Sequence, residues 1–272
     1  LLVSLHDWHS MQLYNGEIEL EFNEKSHRYK VNGKPVQGVT TILGDVTAKP
    51  GLIQWAVDLC MKFNDRLAHI KKRDSAGDIG TVTHKWIEDY IASGEYPPIP
   101  QDPQARAACE AYQKWDLENK PKYLFSEKIV YSKEHNYCGT ADVAFELDGK
   151  RYLADFKTSD PRRVFKSGRY TGAYQAYPEH FVQCAAYDVA YSEEQMKIAW
   201  EDKTHPYWIK PGDHKLVKYA QLKTVYSPFD AYMVIYVTKS GELHTFSCHK
   251  VDMLRRAWVG ALTLQRALKD LT

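Results

Sequence analysis

The Asp148-Gly149 pair, with Thr140 to Leu147 before it and Arg151 to Thr158 after it, constrains this chain more than any other short stretch. Asp-Gly suits a two-residue type I′ turn, because both central residues of that turn need a positive φ. The flanking runs are apolar, aromatic and short enough to be strands, so two antiparallel neighbours joined by a tight turn follow. Side chains alternate along a strand, so Asp155 and Lys157 project from one face, and the hairpin folds Asp142 back beside Asp155. Asp155 sits within Tyr-Leu-Ala-Asp-Phe, an apolar setting where an ionised carboxylate is costly unless it is paired or holds a metal. Two hard oxygen ligands beside a lysine suit Mg²⁺- or Mn²⁺-assisted hydrolysis of a phosphodiester. Read alone, the same residues also fit edge carboxylates with a lysine partner across the sheet.

Patterning divides the rest of the chain into segments. Residues 17–43 read as strands, with Asn32-Gly33 as a second hairpin turn and the β-branched Val39-Thr-Thr-Ile run at the end. Helical spacing covers 51–72 and 80–93, separated by a break at Ser75-Ala-Gly-Asp. Pro97-Pro98 and Pro100 end the second helix, and 102–119 supply a third. Strands are expected at Phe125 to Tyr131, Thr140 to Leu147 and Arg151 to Thr158, and a helix through Phe181 to Ala190. The stretch 196–230 is polar and irregular, like an insertion. A strand from Ala231 to Val237 turns at Ser240-Gly241 into Leu243 to Ser247, and an amphipathic helix runs from Val251 to Leu271.

The net charge of +1 says nothing for nucleic acid, but residues 150–170 hold seven basic residues against Asp155 and Asp160. That run reads either as a solvated loop or, given its place beside the carboxylates, as a phosphate track. Arg162, Arg163, Lys166 and Arg169 are its candidate phosphate contacts, and Tyr170, Tyr174 and Tyr177 are candidate stacking platforms for single-stranded bases. The five cysteines are widely spaced, with no Cys-x-x-Cys, which fits a reducing interior. No apolar run approaches the roughly 18–20 residues of a membrane span, so no membrane partner is expected. A sequence opening at Leu1 leaves room for an upstream targeting segment. The expected location is intracellular: a phage-encoded or bacterial cytoplasmic protein, or a mitochondrial-matrix one if a targeting segment was removed.

Two further pairs are spaced four apart. His84 and Glu88 share one face of the second helix, behind Gly80, and Gln183 and Tyr187 share one face of the later helix. Each pair also fits ordinary surface or half-buried polar packing. In order, Gly80/His84/Glu88, Gly139/Asp142, Asp155/Lys157/Thr158 and Gln183/Tyr187 resemble the motif series of the PD-(D/E)xK nuclease superfamily, in its RecB-type exonuclease branch. The resemblance covers residues 80–190, and His27-Arg-Tyr-Lys-Val-Asn-Gly followed by Val39-Thr-Thr-Ile-Leu also resembles phage-encoded and mitochondrial genome maintenance exonucleases.

The resemblance implies an α/β, restriction-endonuclease-like fold: a central mixed sheet flanked by helices, with a helical arch and a small N-terminal β element. One nuclease domain is expected over 1–272, made of an N-terminal β element (1–45), a helical arch region (46–120), a catalytic core (121–195), an insertion (196–230) and a β-hairpin with a C-terminal helix (231–272). It also implies Mg²⁺ or Mn²⁺ held by His84, Asp142, Asp155 and the backbone carbonyl of Phe156, with Glu88 as a further or outer carboxylate. By the same resemblance Lys157 would orient or deprotonate the attacking water. Gln183, Tyr187 and Thr158 lie at the DNA, and Glu127 at the edge of the site. The cysteine grouping of the iron–sulfur members of the branch is missing, so no cluster is expected. No helicase-type phosphate loop is present either. The implied activity is metal-dependent exonucleolytic hydrolysis of DNA, single-stranded or end-containing, in recombination, repair or replication. A structure-specific or restriction-type endonuclease and an inactive nucleic-acid-binding module on the same fold are the rivals.

Overall fold

In a computed structural model, residues 8–47, 50–158, 175–201 and 227–271 are described. The first four strands, β1 (Trp8–Leu13), β2 (Ile18–Asn23), β3 (Arg28–Val31) and β4 (Lys34–Val36), form a separate antiparallel sheet in that order. Its inner face follows from the Ile18-Glu-Leu20-Glu-Phe22 alternation, which buries Ile18, Leu20 and Phe22. Asn32 and Gly33 take φ values of 48° and 75°, as a type I′ turn requires.

The run Val39-Thr-Thr-Ile does not extend this sheet. It opens helix α1 (Val39–Val46), burying Val39, Ile42 and Leu43 at helical spacing in one core with Trp258 and Leu262. Burial of that stripe overrides a β-branched preference worth at most about 1 kcal/mol. Helices α2 (Pro50–Phe63), α3 (Ala68–Ser93) and α4 (Pro103–Asn119) follow. The expected break at Ser75 to Asp78 is absent, because one glycine in a helix costs only about 1 kcal/mol relative to alanine. The chain turns earlier, where Asn64 has φ 48° and the Asp65 carboxylate accepts the Leu67 N–H at 2.8 Å. Gly94 closes α3 in the left-handed region, and Asp102 caps α4 through the Gln104 and Ala105 N–H groups.

The second sheet is mixed, in the order β5 (Lys122–Ser132), β6 (Tyr137–Leu147), β7 (Lys150–Lys157), β8 (Ala231–Val237) and β9 (Leu243–Cys248). Of these strands only β7 and β8 run parallel, and helix α5 (Pro178–Glu201) lies on the connection between them. The start of the stretch read as an insertion therefore continues α5, and 202–226 lie outside the described residues. Every residue of β8 is buried, as expected of a strand covered on both faces. On one face Trp86, Ile87, Cys109 and Tyr112 of α3 and α4 meet Phe145, Ala154 and Phe156. On the other, α1, α5 and α6 (Val251–Asp270) cover Ala144, Leu153 and Tyr232. The two sheets join where Cys138 N–H donates to the Gln37 carbonyl and Tyr14 OH donates to the Tyr131 carbonyl, both at 2.9 Å. Helix α2 packs against α3 and leaves Ile53, Met61 and Phe63 exposed. No described helix is long and apolar enough to cross a membrane.

Candidate active site

The Asp148-Gly149 turn forms as expected, with φ 51° and 70°, and pairs β6 with β7 as far as Val143 and Ala154. There the ladder stops, and the next N–H on β7, that of Phe156, donates at 2.7 Å to the Asp142 carboxylate instead of to a backbone carbonyl. Asp142 is thus fixed by the backbone of the strand that carries the other two residues. Asp155 and Lys157 share a face of β7 with Leu153, and the Lys157 ammonium forms an ion pair with Asp155 Oδ2. Asp155 is fully buried, and among the described residues no other donor reaches its oxygens. Such a group is costly to bury, so its retention asks for a reason.

His84 comes from α3 and sets its ring edge-on to Phe156, with centroids 5.9 Å apart. Glu127 comes from β5. The pairs Ser126↔Val143 and Lys128↔Ala141 place it opposite Asp142, and its backbone stands at φ 44° in the middle of a strand. One ligand atom from each of His84, Glu127 and Asp142 lies within 4.8 Å of the others. An imidazole and two carboxylates within that span could hold a divalent cation, and the nitrogen would favour Mn²⁺ over Mg²⁺. Motif reading places Glu127 only at the site edge. The register that brings it in is readable from the turn after Ser132, since Ser132 pairs with Tyr137; its left-handed backbone has no signature in the sequence.

Charge and burial tune these groups against one another. Burial pushes the Asp155 carboxyl up to about 6, with Lys157 opposing and Asp142 adding to the rise. Burial also raises Asp142, against the pull of Lys157 and the Phe156 N–H. Glu127 is pushed up to about 8, by burial first and then by the Asp142 and Glu88 charges. His84 is pushed down to about 4 by burial and by Lys157, so its imidazole is neutral near pH 7 with a lone pair free for a cation. Burial opposes the charge on Lys157, but the Asp155 and Asp142 carboxylates outweigh it and raise its pKa.

The motif residues meet in space. A Cβ on Gly80 would lie 2.8 Å from Thr158 Oγ1, and one on Gly139 would lie 2.5 Å from the Tyr187 ring. These glycines let α3 approach the end of β7, and α5 approach β6. Gln183 donates to Tyr187 OH at 2.8 Å, and Tyr187 is buried. Glu88 is held by Lys85 at 3.0 Å. Arg162, Arg163, Lys166, Arg169, Tyr170 and Tyr174 lie outside the described residues. His84 and Glu127 open onto a cleft of about 920 Å³, with Lys85 and Glu88 of α3 on one side and Met11 and His27 of the N-terminal sheet on the other. No protein-family model and no curated protein matches the chain.

Proposed function

We propose that this protein is a metal-dependent deoxyribonuclease that hydrolyses phosphodiester bonds from DNA ends, on a restriction-endonuclease-like fold. The observation that carries the reading is Asp155: a fully buried carboxylate with no donor among the described residues beyond its Lys157 partner, next to Asp142, which the Phe156 N–H fixes. A divalent cation held by the cluster around Asp142 would lower the pKa of a bound water and offset charge building on the phosphate. Lys157, kept protonated by Asp155 and Asp142, donates a hydrogen bond to the attacking water or to a phosphoryl oxygen. Neutral His84 contributes a nitrogen lone pair and no charge. The cleft between α3 and the N-terminal sheet is the path for the strand, and the charged groups of α3 form its rim.

The test is incubation of end-labelled linear single-stranded DNA and a covalently closed circle of the same sequence with Mg²⁺, Mn²⁺ or chelator. Degradation of the linear strand alone, only with metal, is the expected result. Equal cutting of both substrates would assign the endonuclease activity instead. Tight binding without cutting would leave a binding module.

A further inference from the structure

We propose that the cation seat consists of His84, Glu127 and Asp142, with Glu127 a direct ligand and Asp155 outside the seat as the counter-ion of Lys157. This rests on the metal-dependent reading above but differs from the resemblance, which assigns the ion to Asp155 and the Phe156 carbonyl and leaves Glu127 at the edge.

Three observations converge. The ligand atoms of His84, Glu127 and Asp142 already lie within 4.8 Å of one another, a span that a single ion draws together with small side-chain shifts. Next, Glu127 has φ 44° inside a hydrogen-bonded strand, a conformation that costs a non-glycine residue on the order of 1–3 kcal/mol and recurs at functional sites. The register sets it opposite Asp142, so two half-buried carboxylates face each other across neighbouring strands, an arrangement that repels until a cation lies between them. Finally, among the described residues the lysines nearest these acids already form ion pairs with other carboxylates. Lys85 binds Glu88 and Asp89, both at 3.0 Å, and Lys157 is paired with Asp155. Asp155 lies outside that group of converging ligand atoms, with its Oδ2 held by Lys157.

The experiment is a Mn²⁺ titration of the whole protein without DNA, followed by the electron paramagnetic resonance signal of free Mn²⁺, for wild type, Glu127→Gln and Asp155→Asn. Thermal melts in chelator confirm that each variant folds. Glu127→Gln should weaken Mn²⁺ binding at least tenfold and Asp155→Asn less than threefold. The reverse order, or unchanged affinity in Glu127→Gln, overturns the proposal while the metal-dependent reading stands. A wild-type protein that binds no Mn²⁺ overturns both. If Glu127→Gln does not fold, Glu127→Asp keeps the charge and draws the carboxylate back by one methylene, and an affinity equal to wild type would overturn the proposal.

Discussion

Asp155 and Asp188 are both fully buried carboxylates, one on β7 and the other on the helix α5 that covers its sheet, yet they are treated in opposite ways. Asp188 accepts from Ser192 Oγ at 2.7 Å, Tyr232 OH at 2.5 Å and Arg255 Nη1 at 2.9 Å, so its charge is matched from three directions. Buried Asp116 is similar, taking the hydroxyls of Tyr90, Tyr96 and Tyr123. Among the described residues, Asp155 has the Lys157 ammonium and no other donor. A fold that twice surrounds a buried acid with donors is capable of doing so a third time. Asp155, with Lys157 on Oδ2 and no described donor on Oδ1, is therefore buried at some cost in stability, as the proposed role beside Lys157 would require.

Removing each acid tests that contrast. Asp188→Ala removes the carboxylate that buried Arg255 binds at 2.9 Å and should cost about 3–5 kcal/mol in urea denaturation, the usual loss when one member of a buried pair is deleted. Asp155→Asn, measured in chelator, should cost far less or raise stability. Equal losses would make the two acids equivalent and remove the argument for a functional Asp155.

The pH dependence separates them further. The Asp155 carboxyl is pushed up to about 6 when folded, above its ordinary value near 4, so the unfolded chain binds fewer protons between those values. Its contribution to stability is therefore full below about pH 4 and is lost as pH rises through 6. Glu127 extends the same downward slope toward pH 8, while His84, pushed down to about 4, acts in the opposite sense and loses stability as pH falls below 6.5. In metal-free protein, Asp155→Asn should flatten the fall between pH 4 and 6 by about 2–3 kcal/mol, since each tenfold gain in proton affinity on folding is worth about 1.4 kcal/mol. Melts at pH 4, 5, 6 and 7 give the comparison, and an unchanged slope would place the Asp155 charge in a better-solvated setting.

How much of this is legible in the sequence depends on range. Asp148-Gly149 and Asn32-Gly33 announce their hairpins because a type I′ turn is decided by two residues. From the first of these comes the convergence of Asp142, Asp155 and Lys157. Helix α1 reads as a strand because a β-branched run carries a local preference, whereas its conformation is decided by burial against α6, more than 200 residues away in sequence. The role of Glu127 is hidden for a related reason: a positive φ inside a strand leaves no periodic trace, and only its alignment with Asp142 exposes it. The contrast between Asp155 and Asp188 is equally invisible, since both are single acids in apolar runs and their donors come from distant elements.

If Asp155 exists for Lys157, the lysine should matter to rate. Lys157→Ala should slow DNA cleavage by roughly a hundredfold or more at saturating metal, as expected for loss of a donor that acts in the transition state. Single-turnover cleavage of an end-labelled strand measures this, with Mn²⁺ binding retained within a few-fold. Full activity would remove Lys157 from the mechanism and reduce Asp155 to an ill-satisfied structural acid.

The smallest expected effect concerns how the site is positioned, as opposed to how it is charged. The acids at Asp188 and Asp116 are held by hydrogen bonds, whereas His84 is placed by a close packing contact one turn away, where Gly80 faces Thr158. A methyl group at Gly80 would lie 2.8 Å from Thr158 Oγ1, so α3 must shift away from β7 or Thr158 must rotate. Overpacking of this kind costs about 1–3 kcal/mol, partly offset here because alanine suits a helix better than glycine by about 1 kcal/mol. Gly80→Ala should therefore change stability little but weaken Mn²⁺ binding a few-fold by drawing His84 back from Glu127 and Asp142. Adding Thr158→Ala removes the obstructing hydroxyl and should restore the affinity, a coupling that a double-mutant cycle reads directly. If the two substitutions are additive, the contact between α3 and β7 does not set the position of His84, and the site would depend on its charges alone, as the Asp188 cluster does.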